Sequence, residues 1–161
     1  MGKRLANPCN CGRLHLWADG QPFKQSDETY DSYATVVIDD GLGPVSPGIL
    51  LSYESIGNRT SNESEYSAVI IALEWALNQH ERVHVITDSD LILGHLEKGY
   101  RCTLHLRPYR DRVSELLAQT GAVLEWQGRD ANRSGWHNAG VLLERARAKA
   151  KRARESREER R

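Results

Sequence analysis

The chain of 161 residues predicts an α/β fold: one mixed five-stranded sheet, three antiparallel strands followed by β/α crossovers, with helices on both faces. Three observations carry this. Three β-rich runs come first with only loops between them, which suggests an antiparallel meander. An amphipathic stretch of several helical turns follows, at about residues 61–79. After it, short apolar runs alternate with helical patterns, as β/α crossovers require.

Taken in order, residues 1–12 read as an irregular N-terminal arm, broken by Gly2, Pro8 and Gly12. Leu14 to Ala18 is an apolar first strand, closed by Asp19. Residues 20–32 are polar and read as a loop. Tyr33 to Ile38 is β-branched and apolar, a second strand. Asp39-Asp40-Gly41-Leu42-Gly43-Pro44 is a turn signal, and Ile49 to Ile56 gives a third strand. Ser61 or Asn62 can cap the helix that follows, since each side-chain oxygen can accept an orphan backbone N–H. Glu65, three residues after Asn62, completes a capping-box spacing. Ala68, Ile71, Ala72, Trp75 and Ala76 then recur at helical spacing.

Val83 to Thr87 is short and nearly all apolar, as in the middle of a sheet covered on both faces, and Asp88 closes it. Leu91 to Leu96 reads as helix, ended by Gly99. Pro108 to Thr120 is a further amphipathic helix with Val113, Leu116 and Leu117 inward. Ala122 to Trp126 is a fifth strand, 127–136 a polar loop, and Asn138 to about Arg154 a last helix.

The length fits one domain with a real core and no need of disulfides. The chain has no apolar run long enough to span a membrane, and Met1 to Pro8 lacks the apolar core of a signal peptide. Cys9, Cys11 and Cys102 make an odd count, which points to reduced thiols in an intracellular, cytoplasmic protein. Charge is uneven. From Glu144 to Arg161, nine Lys or Arg face four Glu, a net of +5, which leaves −5 on the rest. A mildly acidic body with a basic tail over 147–161 fits a carboxylate-rich site and an attachment for polyanions. The plainer reading of the tail is a solvated helix end.

Asp19 and Asp88 end strands, and Glu65 opens a helix. In an open α/β sheet, chemistry gathers outside the carboxyl ends of strands. Clustered carboxylates there suit Mg²⁺ or Mn²⁺, which favour oxygen ligands. Each acid has a plainer role open to it: Asp19 in a turn before Gly20, Glu65 in a capping box, Asp88 as a helix N-cap.

Three motifs in this order resemble the ribonuclease H family (type 1, within the ribonuclease H-like nuclease superfamily). Trp17-Ala18-Asp19-Gly20 is similar to the family's first-strand Asp-Gly. Ser61-Asn62-Glu63-Ser64-Glu65-Tyr66-Ser67-Ala68, followed by Ala72-Leu73, looks like its Asn-x-x-Glu-x-x-Ala helix start. Ile86-Thr87-Asp88-Ser89 matches its Thr-Asp-Ser at the end of the fourth strand. The resemblance spans residues 13–146 and is fairly specific only because the motifs coincide in order.

The resemblance implies a metal-dependent endonuclease that cuts the RNA strand of RNA–DNA hybrids, with Asp19, Glu65 and Asp88 holding two Mg²⁺ or Mn²⁺ ions. It implies substrate contacts near Gly20, Ser61, Asn62, Ser89 and Arg129. It also implies a loop histidine, His137, that helps protons or product leave. One departure stands out. Ala139-Gly140-Val141-Leu142 has glycine where the family places a fourth acid, so Asn138 is the candidate neutral ligand, with Asp130 the only acid in the segment. No basic handle interrupts Tyr100 to Pro108, and residues 1–12 are too few for a hybrid-binding module, as in the handle-less branch. A monomer with no membrane partner is expected. The competing readings are a nucleic-acid-binding module with reduced or lost catalysis, and a DNA-directed nuclease of the same superfamily.

Overall fold

A computed structural model of the chain describes residues 14–38, 49–126, 148 and 151–161. Its elements are β1 (Leu14–Lys24), β2 (Tyr30–Ile38), β3 (Ile49–Gly57), α1 (Ser61–Ala76), β4 (Val83–Thr87), α2 (Asp90–Glu97), α3 (Arg107–Thr120) and β5 (Val123–Trp126), with a 3₁₀ turn at Leu104–Leu106. The sheet runs β3-β2-β1-β4-β5. β1, β2 and β3 pair antiparallel, whereas β4 lies parallel to both β1 and β5. This is the mixed five-stranded sheet that the sequence predicts.

Strand β1 is longer than its apolar run. It continues through Lys24, so Asp19 lies within the strand and does not close it. The stretch read as a loop over 20–32 is instead the arm of a hairpin. Gln21, Pro22, Phe23 and Lys24 pair with Tyr33, Ser32, Asp31 and Tyr30. Cross-strand contact supplies what the sequence pattern lacks: Phe23 packs edge-on against Tyr33. Pro22 is tolerated because β4 pairs with β1 only as far as Ala18. Past that residue β1 has, among the described residues, a strand neighbour on one side alone, where a missing N–H costs little.

Alternation along the strands sorts the two faces of the sheet. Leu16, Ala18, Ala34, Val36, Val83, Val85 and Leu124 join buried residues of α1, α2 and α3 in one core. The other face carries His15, Trp17, Val37 and Ile86, all buried. His15 and His84 are register partners, with ring centroids 5.0 Å apart, and His84 Nε2 lies 2.8 Å from Glu125. Residues 148 and 151–159 are helical. Arg154 of this helix sits over the Phe23 ring, and Arg157 bonds Asp31 at 2.8 Å and also reaches the Tyr33 hydroxyl. Phe23 and Tyr33 belong to the face opposite α1, so helices meet both faces. The basic tail is thus partly docked, with two of its arginines engaged by the first hairpin.

Helix α1 starts differently from expectation. Thr60, not Ser61 or Asn62, is the N-cap, and Glu63, not Glu65, closes the capping box: Glu63 N–H donates to Thr60 Oγ1 and Thr60 N–H donates to Glu63 Oε1. Several capping registers overlap in this segment. The winning one gains a further bond, from the Tyr109 hydroxyl of α3 to Glu63 at 3.2 Å. Burial pushes the Glu63 carboxyl up, but the Thr60 and Tyr109 bonds outweigh it and hold it below the ordinary range. Glu65 takes no part in this capping box and instead faces β1, where it accepts from the Gly20 amide.

Candidate metal centre

The site begins where two parallel strands end together. Ala18 of β1 and Thr87 of β4 are the last partners in their register. The next residue on each strand is an aspartate, Asp19 and Asp88. Register alone therefore sets the two carboxylates side by side at the carboxyl end of the parallel pair, the place where α/β sheets put ligands. Helix α1 adds the third. Its backbone comes so close to β1 that a Cβ on Gly20 would lie 2.2 Å from the Ser64 carbonyl carbon and 2.4 Å from Glu65 N. Only glycine permits that approach. Gly20 N–H then donates to Glu65 Oε2 at 3.3 Å, which aims the carboxylate at the sheet.

One oxygen from each of Asp19, Glu65 and Asp88 lies within 4.8 Å of the others. Asp19 is buried, at 3% exposure, while Glu65 and Asp88 are half-buried. Three carboxylates this close repel one another unless a cation or a proton intervenes. All the donors are hard oxygens, and two of the three side chains are open to solvent on one side. That donor set fits Mg²⁺ or Mn²⁺ and does not fit a soft metal.

The other expected site residues fall as follows. Gly20 is at the site, but its amide is already given to Glu65. Ser61 and Asn62 open α1 and are exposed, one turn from Glu65. Ser89 is the N-cap residue of α2, its N–H donating to Thr87 Oγ1 at 3.1 Å. Arg129, Asp130, His137, Asn138 and Gly140 lie outside the described residues. Two features were not legible in sequence. Gly20 acts as the contact surface for α1. Trp126, at the end of β5, donates its indole N–H to the Asp88 backbone carbonyl at 3.2 Å. The one sequence cue for Trp126 is that it is the last apolar residue of a strand beside the acid-bearing β4.

No helix among the described residues is long and apolar enough to cross a membrane. A family model described as reverse transcriptase-like matches residues 25–137, a span that holds Glu65 and Asp88 but not Asp19. No curated protein sequence matches the chain. Among solved structures, ribonuclease H1 of the halophilic archaeon Halobacterium salinarum is 25% identical, with 83% of this chain and 98% of that chain covered at a TM-score of 0.59. LC11 ribonuclease H1, isolated from compost and solved with an RNA/DNA hybrid, is 23% identical, with 74% and 88% covered and a TM-score of 0.58. The foamy viral protease-reverse transcriptase, also solved with an RNA/DNA hybrid, is 14% identical. There 83% of this chain but 20% of that one is covered, at a TM-score of 0.58. At these identities the last two speak to the fold alone.

Proposed function

Because the chain belongs to the reverse transcriptase-like family, with the ribonuclease H fold, we propose that it is a metal-dependent endonuclease that hydrolyses the RNA strand of RNA–DNA hybrids. The observation that carries this reading is the convergence of Asp19, Glu65 and Asp88 within 4.8 Å at the carboxyl end of β1 and β4. Two Mg²⁺ or Mn²⁺ ions bound there supply Lewis-acid activation of water and neutralise charge at a phosphodiester.

The chain's own residues do the positioning. Asp19, buried in a strand paired on both sides just before it, is the fixed ligand. Glu65 is oriented by the Gly20 amide, and Asp88 by the end of β4. Ser61 and Asn62, exposed one turn from Glu65, offer a hydroxyl and an amide to a 2′-hydroxyl, the group by which RNA is told from DNA. Ser89 is proposed as a further polar contact and Arg129 as a phosphate contact. Asn138 is proposed as a neutral fourth donor and His137 as the group that carries protons away, since a histidine titrates near neutrality.

The test is direct. The protein is incubated with end-labelled RNA–DNA hybrid, duplex RNA and duplex DNA, each with Mg²⁺ or Mn²⁺. Internal cuts confined to the RNA strand of the hybrid are the expected result. Cleavage of DNA instead would make it a DNA-directed nuclease, and binding without cleavage a nucleic-acid-binding module.

A further inference from the structure

Strand β5 ends on a tryptophan beside the acidic cluster. Trp126 is the register partner of Thr87, the residue before Asp88. Its Nε1–H donates to the Asp88 carbonyl oxygen at 3.2 Å, yet 43% of the residue stays exposed, against 1% for Trp17. With its one donor engaged, the indole has no remaining polar requirement. The bond holds the ring in one orientation, and an apolar face is left to solvent at the mouth of the site. By strand alternation Trp126 also shares a sheet face with Leu124, which joins the core packed against the helices.

On the reading of the site given above, we propose that Trp126 is a substrate-contacting residue whose indole face packs flat on the sugar of a nucleotide next to the cleaved phosphate. Within a duplex the bases are stacked on one another, so a flat ring at the groove edge meets sugars. Such a contact adds affinity and register without reading sequence. Because the ring is pinned through Asp88, the contact is set at a fixed reach from the carboxylates. The pinning costs no ordering on binding, since the ring is already held.

Two substitutions separate this contact from a role in holding Asp88. Trp126→Phe keeps a flat ring and loses the N–H, whereas Trp126→Ala loses both. Expected for Trp126→Ala is a KM for hybrid raised about 5- to 20-fold with kcat nearly level, and for Trp126→Phe a rise of no more than about threefold. Both variants should keep the wild-type Mg²⁺ requirement. Hybrid added without metal at low salt should shift wild-type tryptophan emission to the blue, because a sugar packed on the exposed ring excludes water, and the shift should be absent in Trp126→Phe. If Trp126→Ala does not fold, the emission comparison with Trp126→Phe decides alone. An unchanged KM in a folded Trp126→Ala, or an equal emission shift in both proteins, overturns the proposal. So does a Mg²⁺ requirement raised alike in both variants with KM level, which makes Trp126 a positioning residue for Asp88. Those outcomes leave the ribonuclease reading standing, because the wild type still cuts hybrid. A wild type that neither binds nor cuts hybrid overturns both.

Discussion

Replacing Asp88 with Asn removes one of three charges whose oxygens lie within 4.8 Å of one another. At that distance and an effective dielectric of about 20, each ionised pair repels by about 3.5 kcal/mol. Glu65 and Asp88 are half-exposed, so water and salt reduce the repulsion several-fold, to about 2 kcal/mol for Asp88 against both neighbours. One term opposes the gain. Asp88 precedes the N-cap of α2, where a negative charge is worth about 0.5 kcal/mol against the helix dipole. The metal-free Asp88→Asn protein should therefore be more stable by about 1–2 kcal/mol, a rise in Tm of about 2–8 °C for a chain of this size. The assay is thermal unfolding in chelator, repeated across a Mg²⁺ series. Wild type should gain Tm with Mg²⁺ by mass action, and the variant should gain less because its site binds the cation more weakly. Hybrid cleavage should fall by on the order of 100-fold or more. A variant that melts at or below wild type in chelator, and gains as much from Mg²⁺, would refute the reasoning.

Gly20→Ala sets a methyl group 2.2 Å from the Ser64 carbonyl carbon, so α1 must shift. A loss of about 2–3 kcal/mol in urea unfolding and loss of cleavage are expected, and a wild-type urea midpoint would show that the close approach is not rigid. The Glu63 carboxyl is held below its ordinary value of 4.5, so its cap contributes full stability above that value and loses it as pH falls through the lower folded value. Glu63→Gln should flatten the dependence of the urea midpoint on pH below 4.5, and a slope identical to wild type would place the acid sensitivity elsewhere. In the C-terminal helix and the two residues after it, Gln at the exposed Lys151, Arg152, Arg160 and Arg161 should weaken hybrid binding and flatten its salt dependence, while Arg157→Gln should mainly lower Tm. An unchanged salt slope in the first variant would leave the helix a structural strap only. Asn138→Asp or Gly140→Asp should raise the Mg²⁺-supported rate relative to the Mn²⁺ rate, because a hard cation depends on anionic oxygen. Equal ratios in wild type and both variants would put the fourth ligand elsewhere.

The sequence carried the site's acids better than their surroundings. Asp88 was legible because a nearly all-apolar run, Val83 to Thr87, stops at it. Asp19 was legible as a residue but misread as a strand end. Gly20, Gln21 and Pro22 carry turn-forming character, and only pairing with Ser32, Tyr33 and Ala34 makes them strand. Glu65 was picked for its place in the motif and lies in the acidic cluster, but the cap assigned to it belongs to Glu63. Local spacing allows both registers, and a contact from α3, 46 residues away, selects one. The approach of α1 to Gly20, the bond from Trp126 to Asp88 and the seat of Arg154 on Phe23 are tertiary contacts. No periodicity within a segment encodes them.

Among the described residues, strand β1 is paired on both sides as far as Ala18 and on one side from Asp19 onward. Amide hydrogens in such a strand fall into two populations. Those of Leu16 and Ala18 should exchange only when the whole sheet opens, whereas those toward Phe23 and Lys24 should exchange through fraying of the hairpin. A distant grip, Arg154 on Phe23 and Arg157 on Asp31, closes over that hairpin and should slow its fraying. Asp19 stands at the seam between the two. The acidic cluster thus has one wall in the doubly paired part of the sheet and one at the root of a hairpin, and loosening the C-terminal grip should reach the cluster through the second.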